Sequence, residues 1–210
     1  SGKTTPTTIG TPQGGPLSPL LSNILLDQFD KELERRDLRF ARYADDGIIL
    51  TKCLCEGKTI LTEITEYLSK KLKLVVNRKK SKVAKIAECS FLGFTFKGKK
   101  IRWTEISFQD FQYRLKYLTR RSWGVSMEYR LYKLNQYIRG WMNYYGVSQY
   151  YTPLQDIDNW LRRRIRMCYW KQWRYPRTKV RKLMELSIPK DFAIMTGASS
   201  KSYWHLSKSF

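Results

Sequence analysis

FARYADDGIIL, residues 40–50, sets two adjacent carboxylates, Asp45 and Asp46, between two short runs rich in apolar and aromatic residues. Aromatic and β-branched residues fit a pleated, half-buried surface, and Asp-Gly is a strong hairpin signal. The stretch therefore predicts two antiparallel strands, FARY and GIIL, joined at Ala44-Asp45-Asp46-Gly47. Taken alone, an Asp-Asp-Gly corner is an ordinary solvated bend, because Asp favours turns. The chemical alternative is that paired carboxylates at a hairpin tip bind a divalent cation. Mg²⁺ prefers hard oxygen ligands and commonly combines one or two carboxylates with substrate phosphates. In a two-metal phosphoryl-transfer site one cation activates a 3′-hydroxyl and the other stabilises the leaving pyrophosphate. Such a site needs a further carboxylate from elsewhere.

Outward from the hairpin, Ser18 followed by Pro19 reads as an N-cap and a first helical position. Leu21, Ile24, Leu25, Phe29 and Leu33 then recur at helical spacing, predicting a helix over 19–36. Downstream, Ile60, Leu61, Ile64, Leu68 and Leu72 form a second amphipathic stripe. Leu74-Val75-Val76 and Phe91-Leu92-Gly93-Phe94-Thr95-Phe96 read as strands, and Lys97-Gly98-Lys99-Lys100 as the turn into a last strand, Ile101 to Trp103. The second half has helical periodicity alone, with stripes at Leu131, Leu134, Ile138, Met142, Tyr145 and at Leu154, Ile157, Leu161, Ile165, Cys168. The reading is α+β: a mainly antiparallel sheet with helices over residues 1–103, then an all-α bundle over 104–210.

Charge supplies the partner class. The 210 residues carry 40 Lys and Arg against 18 Asp and Glu, a net charge of +22, an excess that repels itself unless an anionic partner is present. Hydrophobic residues make up 42% of the chain, enough for a packed core, so the charge is not that of a disordered tail. Aromatics and net positive charge are both heavier after Trp103, which places the compositional boundary there. No apolar run is long enough to span a bilayer and no signal-peptide pattern is found, so the chain reads as soluble and intracellular, in a bacterial cytoplasm or an organelle. The four cysteines at 53, 55, 89 and 168 lack CxxC spacing, which favours reduced thiols over a zinc site.

Tyr43-Ala44-Asp45-Asp46 resembles the YxDD active-site hairpin of reverse transcriptases. Three companion segments occur in the expected order. Gly10-Thr11-Pro12-Gln13-Gly14-Gly15-Pro16-Leu17-Ser18-Pro19-Leu20-Leu21-Ser22-Asn23 resembles the PQG motif bordering the incoming nucleotide, in the form typical of group II intron-encoded enzymes. Leu74-Val75-Val76-Asn77-Arg78-Lys79-Lys80-Ser81-Lys82 looks like the motif of an Asn followed by Lys-Thr or Lys-Ser. Phe91-Leu92-Gly93-Phe94 is similar to the strand that supports the primer end. Tyr137-Ile138-Arg139-Gly140-Trp141-Met142-Asn143-Tyr144-Tyr145 resembles the helix of the maturase domain, also called domain X or thumb, which separates the chain from retroviral polymerases and disfavours retron or CRISPR-associated relatives.

The resemblance implies a partial palm followed by a thumb. It implies Mg²⁺-dependent RNA-directed DNA synthesis together with maturation of a group II intron RNA, or, as the alternative, RNA binding in splicing without polymerisation. It assigns metal binding and catalysis to Asp45 and Asp46, with Lys80 as a general acid toward pyrophosphate. Gln13, Gly14, Gly15, Tyr43 and Ala44 would border the nucleotide. Phe91, Leu92 and Gly93 would meet the primer, and Arg139, Arg162, Arg163, Arg166, Lys171 and Arg174 would meet RNA phosphates. The implied partners are intron RNA, an RNA template, a DNA primer and dNTPs, with no membrane. The fingers and the palm strand carrying another catalytic Asp are expected upstream of residue 1.

Overall fold

A computed structural model describes residues 16–208 and divides the chain into two compact units, 1–92 and 93–210. The architecture is α+β, with short antiparallel strands and mostly helical content.

In the first unit, helix α1 (Ser18–Arg35) begins one residue earlier than the Ser-Pro pair suggests. Leu17 occupies the N-cap without a side-chain cap bond, so Ser18 is already helical and Pro19 sits in the first turn, where its missing N–H costs nothing. Strands β1 (Arg39–Tyr43) and β2 (Asp46–Leu50) pair antiparallel with Tyr43 opposite Asp46 and Arg42 opposite Gly47. Helix α2 (Leu54–Lys70) opens on Cys53, whose Sγ accepts from the Glu56 backbone N–H at 3.3 Å, while the Glu56 carboxylate accepts from the Lys52 N–H at 2.8 Å. The Cys53 bond is the first half of a capping box, with a thiol in place of the usual hydroxyl, while the Glu56 carboxylate reaches one residue further back, to the N–H preceding the cap. Among the described residues, Leu33, Ile64 and Leu72 are the buried apolar side chains of this unit.

Two sequence expectations fail here. Leu74-Val75-Val76 is not a strand: the segment is irregular and Val75 is 97% exposed, so its β propensity finds no partner to pack against. The run 91–96 is not one strand either, because Leu92 and Gly93 both take positive φ (52° and 77°) and break it into β3 (Ser90–Phe91) and β4 (Phe94–Lys97).

In the second unit, β4 turns through Gly98 into β5 (Lys100–Trp103), as the Lys-Gly-Lys-Lys signal predicts. Helices α3 (Glu105–Leu118), α4 (Met127–Tyr145) and α5 (Thr152–Gln172) follow. Thr104 and Ser126 cap α3 and α4 by accepting from the N–H three residues on, both at 3.2 Å. Helices α6 (Pro176–Glu185), α7 (Lys190–Gly197) and the single turn α8 (Tyr203–Leu206) complete the chain. The core is aromatic: Trp103 stacks on Phe108 at 5.6 Å and Phe111 on Trp141 at 4.1 Å, around Leu115, Leu134, Ile157 and Leu161. Trp103 is thus a core residue of the helical unit, which is why packing divides the chain before β4 whereas composition divides it after Trp103. No helix of the described residues is long and apolar enough to cross a membrane.

Candidate functional site

The hairpin corner is tighter than its Asp-Gly signal suggests. Because Tyr43 pairs with Asp46, the two-residue loop is Ala44-Asp45, and Gly47 already belongs to β2. Ala44 carries a positive φ of 53°, a conformation that costs an L residue about 1–2 kcal/mol. The register therefore puts Asp45 in the turn and Asp46 at the first position of β2, both exposed, with Tyr43 66% exposed beside them.

Arg42 fixes that corner. Alternation along β1 turns Phe40 and Arg42 to the less exposed face and Arg39, Ala41 and Tyr43 to solvent. The Arg42 guanidinium donates through Nε and Nη2 to the two oxygens of Asp30, and through Nη1 to Asn23 Oδ1 at 3.0 Å and to the Ala44 carbonyl at 2.9 Å. Asn23 and Asp30 lie seven residues apart on α1, hence on one helix face. The bond to Asp30 raises Arg42 above the ordinary guanidinium range. The cation nearest in sequence to the aspartates is consequently engaged with α1 and the corner carbonyl. Among the described residues, neither Asp45 nor Asp46 has an ion pair or a side-chain hydrogen bond.

Sequence reading missed Arg42, Asn23 and Asp30. The available signals were the seven-residue spacing on α1 and an Arg on the same strand face as Phe40.

The other expected residues fall in varied places. Gln13, Gly14 and Gly15 lie outside the described residues. Lys80 is exposed in a turn built by Asn77, whose Oδ1 accepts from the backbone N–H groups of Lys79 at 3.1 Å and Lys80 at 3.3 Å. No ion pair joins Lys80 to either aspartate among the described residues. Phe91 is half-buried in β3. At Gly93, a Cβ would lie 2.5 Å from the Tyr145 hydroxyl and 3.0 Å from Ser107 Oγ. Its positive φ and this close approach give the glycine a structural reason within the fold.

The basic residues of the helical unit do not form one surface stripe. Arg139, Lys171 and Arg174 are exposed, and Arg162 pairs with Asp158 at 2.7 Å. The Arg163 guanidinium lies 3.8 Å over the Trp204 ring and donates to the Trp204 carbonyl at 2.9 Å. Arg166 is half-buried, with Nε buried and unbonded. Two arginines outside the expected set close the C-terminus of α3. Arg130, 2% exposed, donates to the carbonyls of Leu118, Arg120 and Trp123 at 2.7–3.2 Å. Arg164 donates to Thr119 Oγ1 at 2.6 Å and to the Lys116 and Thr119 carbonyls. Both cations satisfy the orphan carbonyls at the negative end of the helix, and burial lowers Arg164 below the ordinary guanidinium range.

The donor set at the corner suits a hard divalent cation: two carboxylates, exposed and not neutralised by a neighbouring base. No group of three or more His, Cys, Asp or Glu able to hold a metal occurs among the described residues, so the corner supplies part of a coordination sphere.

Residues 1–96 match the family described as reverse transcriptase (RNA-dependent DNA polymerase), and residues 108–186 match the group II intron maturase-specific domain. A relative, "Protein YkfC" of Escherichia coli (strain K12), is 29% identical over an alignment of 126 residues, and the match covers 44% of this chain and 32% of that protein. The matched stretch thus spans about a third of the relative's length.

Proposed function

We propose a function for this chain from the family to which it belongs, the group II intron reverse transcriptase/maturases: it carries the metal-holding corner of an RNA-directed DNA polymerase and an RNA-gripping helical unit. The observation that carries the reading is the exposed Asp45-Asp46 pair at a two-residue corner whose adjacent arginine is held by Asp30.

Asp45 and Asp46 would hold Mg²⁺, which when bound supplies Lewis-acid stabilisation of charge on the transferring phosphoryl group and its nucleophile. Arg42 keeps the Ala44 carbonyl and hence the corner in place, and its engagement with Asp30 leaves the two carboxylates unpaired. Lys80, exposed and without an ion partner among the described residues, is available to deliver a proton or positive charge to pyrophosphate. Gln13, Gly14 and Gly15 would border the nucleotide together with Tyr43 and Ala44. Arg139, Arg162, Lys171 and Arg174 present charge to RNA phosphates from the helical unit, while Arg163 acts by holding Trp204.

No third carboxylate joins the corner among the described residues, so the test is made with a segment carrying one supplied in cis or in trans. Primer extension on an RNA template with dNTPs and Mg²⁺ should be abolished by Asp45→Ala with Asp46→Ala, while affinity for intron RNA is spared. Loss of both activities together would contradict the separation of chemistry from RNA grip.

A further inference from the structure

An open cleft of about 910 Å³ lies within the helical unit, between the C-terminal half of α3, the length of α5 and the turn α8. Its chemistry is of two kinds. Lys116, Arg121 and Lys171 line it, are exposed, and form no ion pair among the described residues. Tyr113, Trp160 and Trp204 line it too; Tyr113 is 70% exposed, and Trp204 is 36% exposed. No acidic side chain lines the cleft.

Two of the three rings, Trp160 and Trp204, are held rather than loose. Arg163 packs over Trp204 at 3.8 Å and bonds its carbonyl, and Arg164 lies 4.9 Å over Trp160 while bonded to the end of α3. Each guanidinium thereby serves the wall of the cleft, as does Arg120, which lies 4.1 Å over the Tyr117 ring, and Lys116, Arg121 and Lys171 are left for a ligand. Unpaired cations interleaved with fixed aromatic faces are the two components of single-stranded nucleic-acid sites, in which a charged groove follows the backbone and bases stack on rings. A duplex keeps its bases stacked on each other and offers no free face to Tyr113 or Trp204.

We propose that this cleft binds a single-stranded segment of RNA, with Lys116, Arg121 and Lys171 on phosphates and Tyr113 and Trp204 against bases. The choice of RNA over DNA rests on the proposed function; the cleft's charge and rings stand independently of it.

The test uses the full 210-residue chain and fluorescence anisotropy with a labelled single-stranded RNA, the same RNA as a duplex, and polyglutamate as an acidic-protein competitor. Removing both lysines (Lys116→Ala with Lys171→Ala) should weaken single-strand binding at least tenfold and flatten the salt dependence of log K by about 1.4, two contacts at about 0.7 each. Tyr113→Ala should weaken binding about fivefold or more without changing that slope, since stacking releases no counterions. Lys97→Ala with Lys190→Ala removes the same charge from exposed positions elsewhere in the unit and should change affinity less than twofold. Thermal melting establishes that each variant is folded. The cleft is overturned if the control pair weakens binding as much as the cleft pair, if duplex binds as tightly as single strand, or if polyglutamate competes as well as unlabelled RNA. Undiminished RNA binding in the cleft variant overturns the cleft alone, whereas a wild-type chain with no affinity for RNA overturns the RNA-gripping reading as well.

Discussion

Arg42 and Asp30 are joined by a two-pronged ion pair, Nε to Oδ1 at 2.7 Å and Nη2 to Oδ2, which ties the strand leading into the aspartate corner to helix α1. Both side chains are mostly buried, 14% and 24% exposed, so the pair is less screened than a surface bridge. The same guanidinium reaches the Ala44 carbonyl, so the ion pair and the strained corner form one unit.

Breaking that unit should be costly and non-additive. Arg42→Ala and Asp30→Ala are each expected to destabilise by about 1–3 kcal/mol, because each leaves a mostly buried charge unpaired, and the double variant should cost less than the sum. Denaturant unfolding of the four-member cycle checks this. Arg42→Lys keeps the charge but loses the fork, and should recover only part of the coupling.

Gly93 and Tyr145 should be coupled as well. Gly93→Ala combines a positive φ of 77° with a Cβ 2.5 Å from the Tyr145 hydroxyl, and should cost about 2–4 kcal/mol. In a Tyr145→Phe background the hydroxyl is gone and the cost should fall toward the backbone strain alone. Thermal unfolding of the four proteins measures the difference; equal costs in both backgrounds would show that the hydroxyl is not the obstacle.

Arg130 should be among the least replaceable charges in the helical unit. Arg130→Met leaves the carbonyls of Leu118, Arg120 and Trp123 without their donor, an expected loss of about 2–4 kcal/mol. Arg162→Met, by contrast, breaks a single exposed i,i+4 pair with Asp158 and should change stability by less than about 1 kcal/mol. Urea midpoints of the two variants compare them directly.

Glu32 predicts an acid-sensitive contact. Hydrogen bonds from Arg35, then from Arg36, lower its pKa from 4.5 to about 2. A carboxylate with a depressed folded-state pKa stabilises the fold at pH above its unfolded value, and this contribution is lost as pH falls from about 4.5 through about 2. Side-chain NMR titration should place the Glu32 midpoint near 2, and Glu32→Gln should flatten the pH dependence of stability in that window.

How legible these features were in the sequence follows from their physics. Hydrophobic period exposed α2, α4 and α5, because their largely buried stripes repeat at 3.6 residues; α1 carries the same spacing although Leu21, Ile24 and Leu25 are exposed and Leu33 alone of its stripe is buried; Lys-Gly-Lys-Lys marked the β4–β5 turn. The aspartate hairpin was visible, but its corner was read one residue late: Asp-Gly is the louder turn signal, whereas Ala44, the residue at positive φ, carries none. Leu74-Val75-Val76 misled because strand propensity records the fit to a neighbouring strand and says nothing about whether one is there. Among the candidate site residues, the position of the aspartates at a hairpin was legible because they are adjacent in sequence and lie beside a turn signal. Arg42's link to Asp30 and the packing of Arg163 on Trp204 depend on side chains from different elements meeting, which spacing along one element hints at but does not fix.

The Asp45-Asp46 corner is proposed to hold a divalent cation. Its most direct test is a Mn²⁺ titration of the isotopically labelled chain followed by amide NMR, since the paramagnetic ion broadens only resonances near its binding site. Selective broadening is expected at Ala44, Asp45, Asp46 and Gly47, reversed by excess Mg²⁺ and absent when both aspartates are replaced by Asn. Broadening spread over carboxylates throughout the chain, or a corner signature that survives the double replacement, would contradict it.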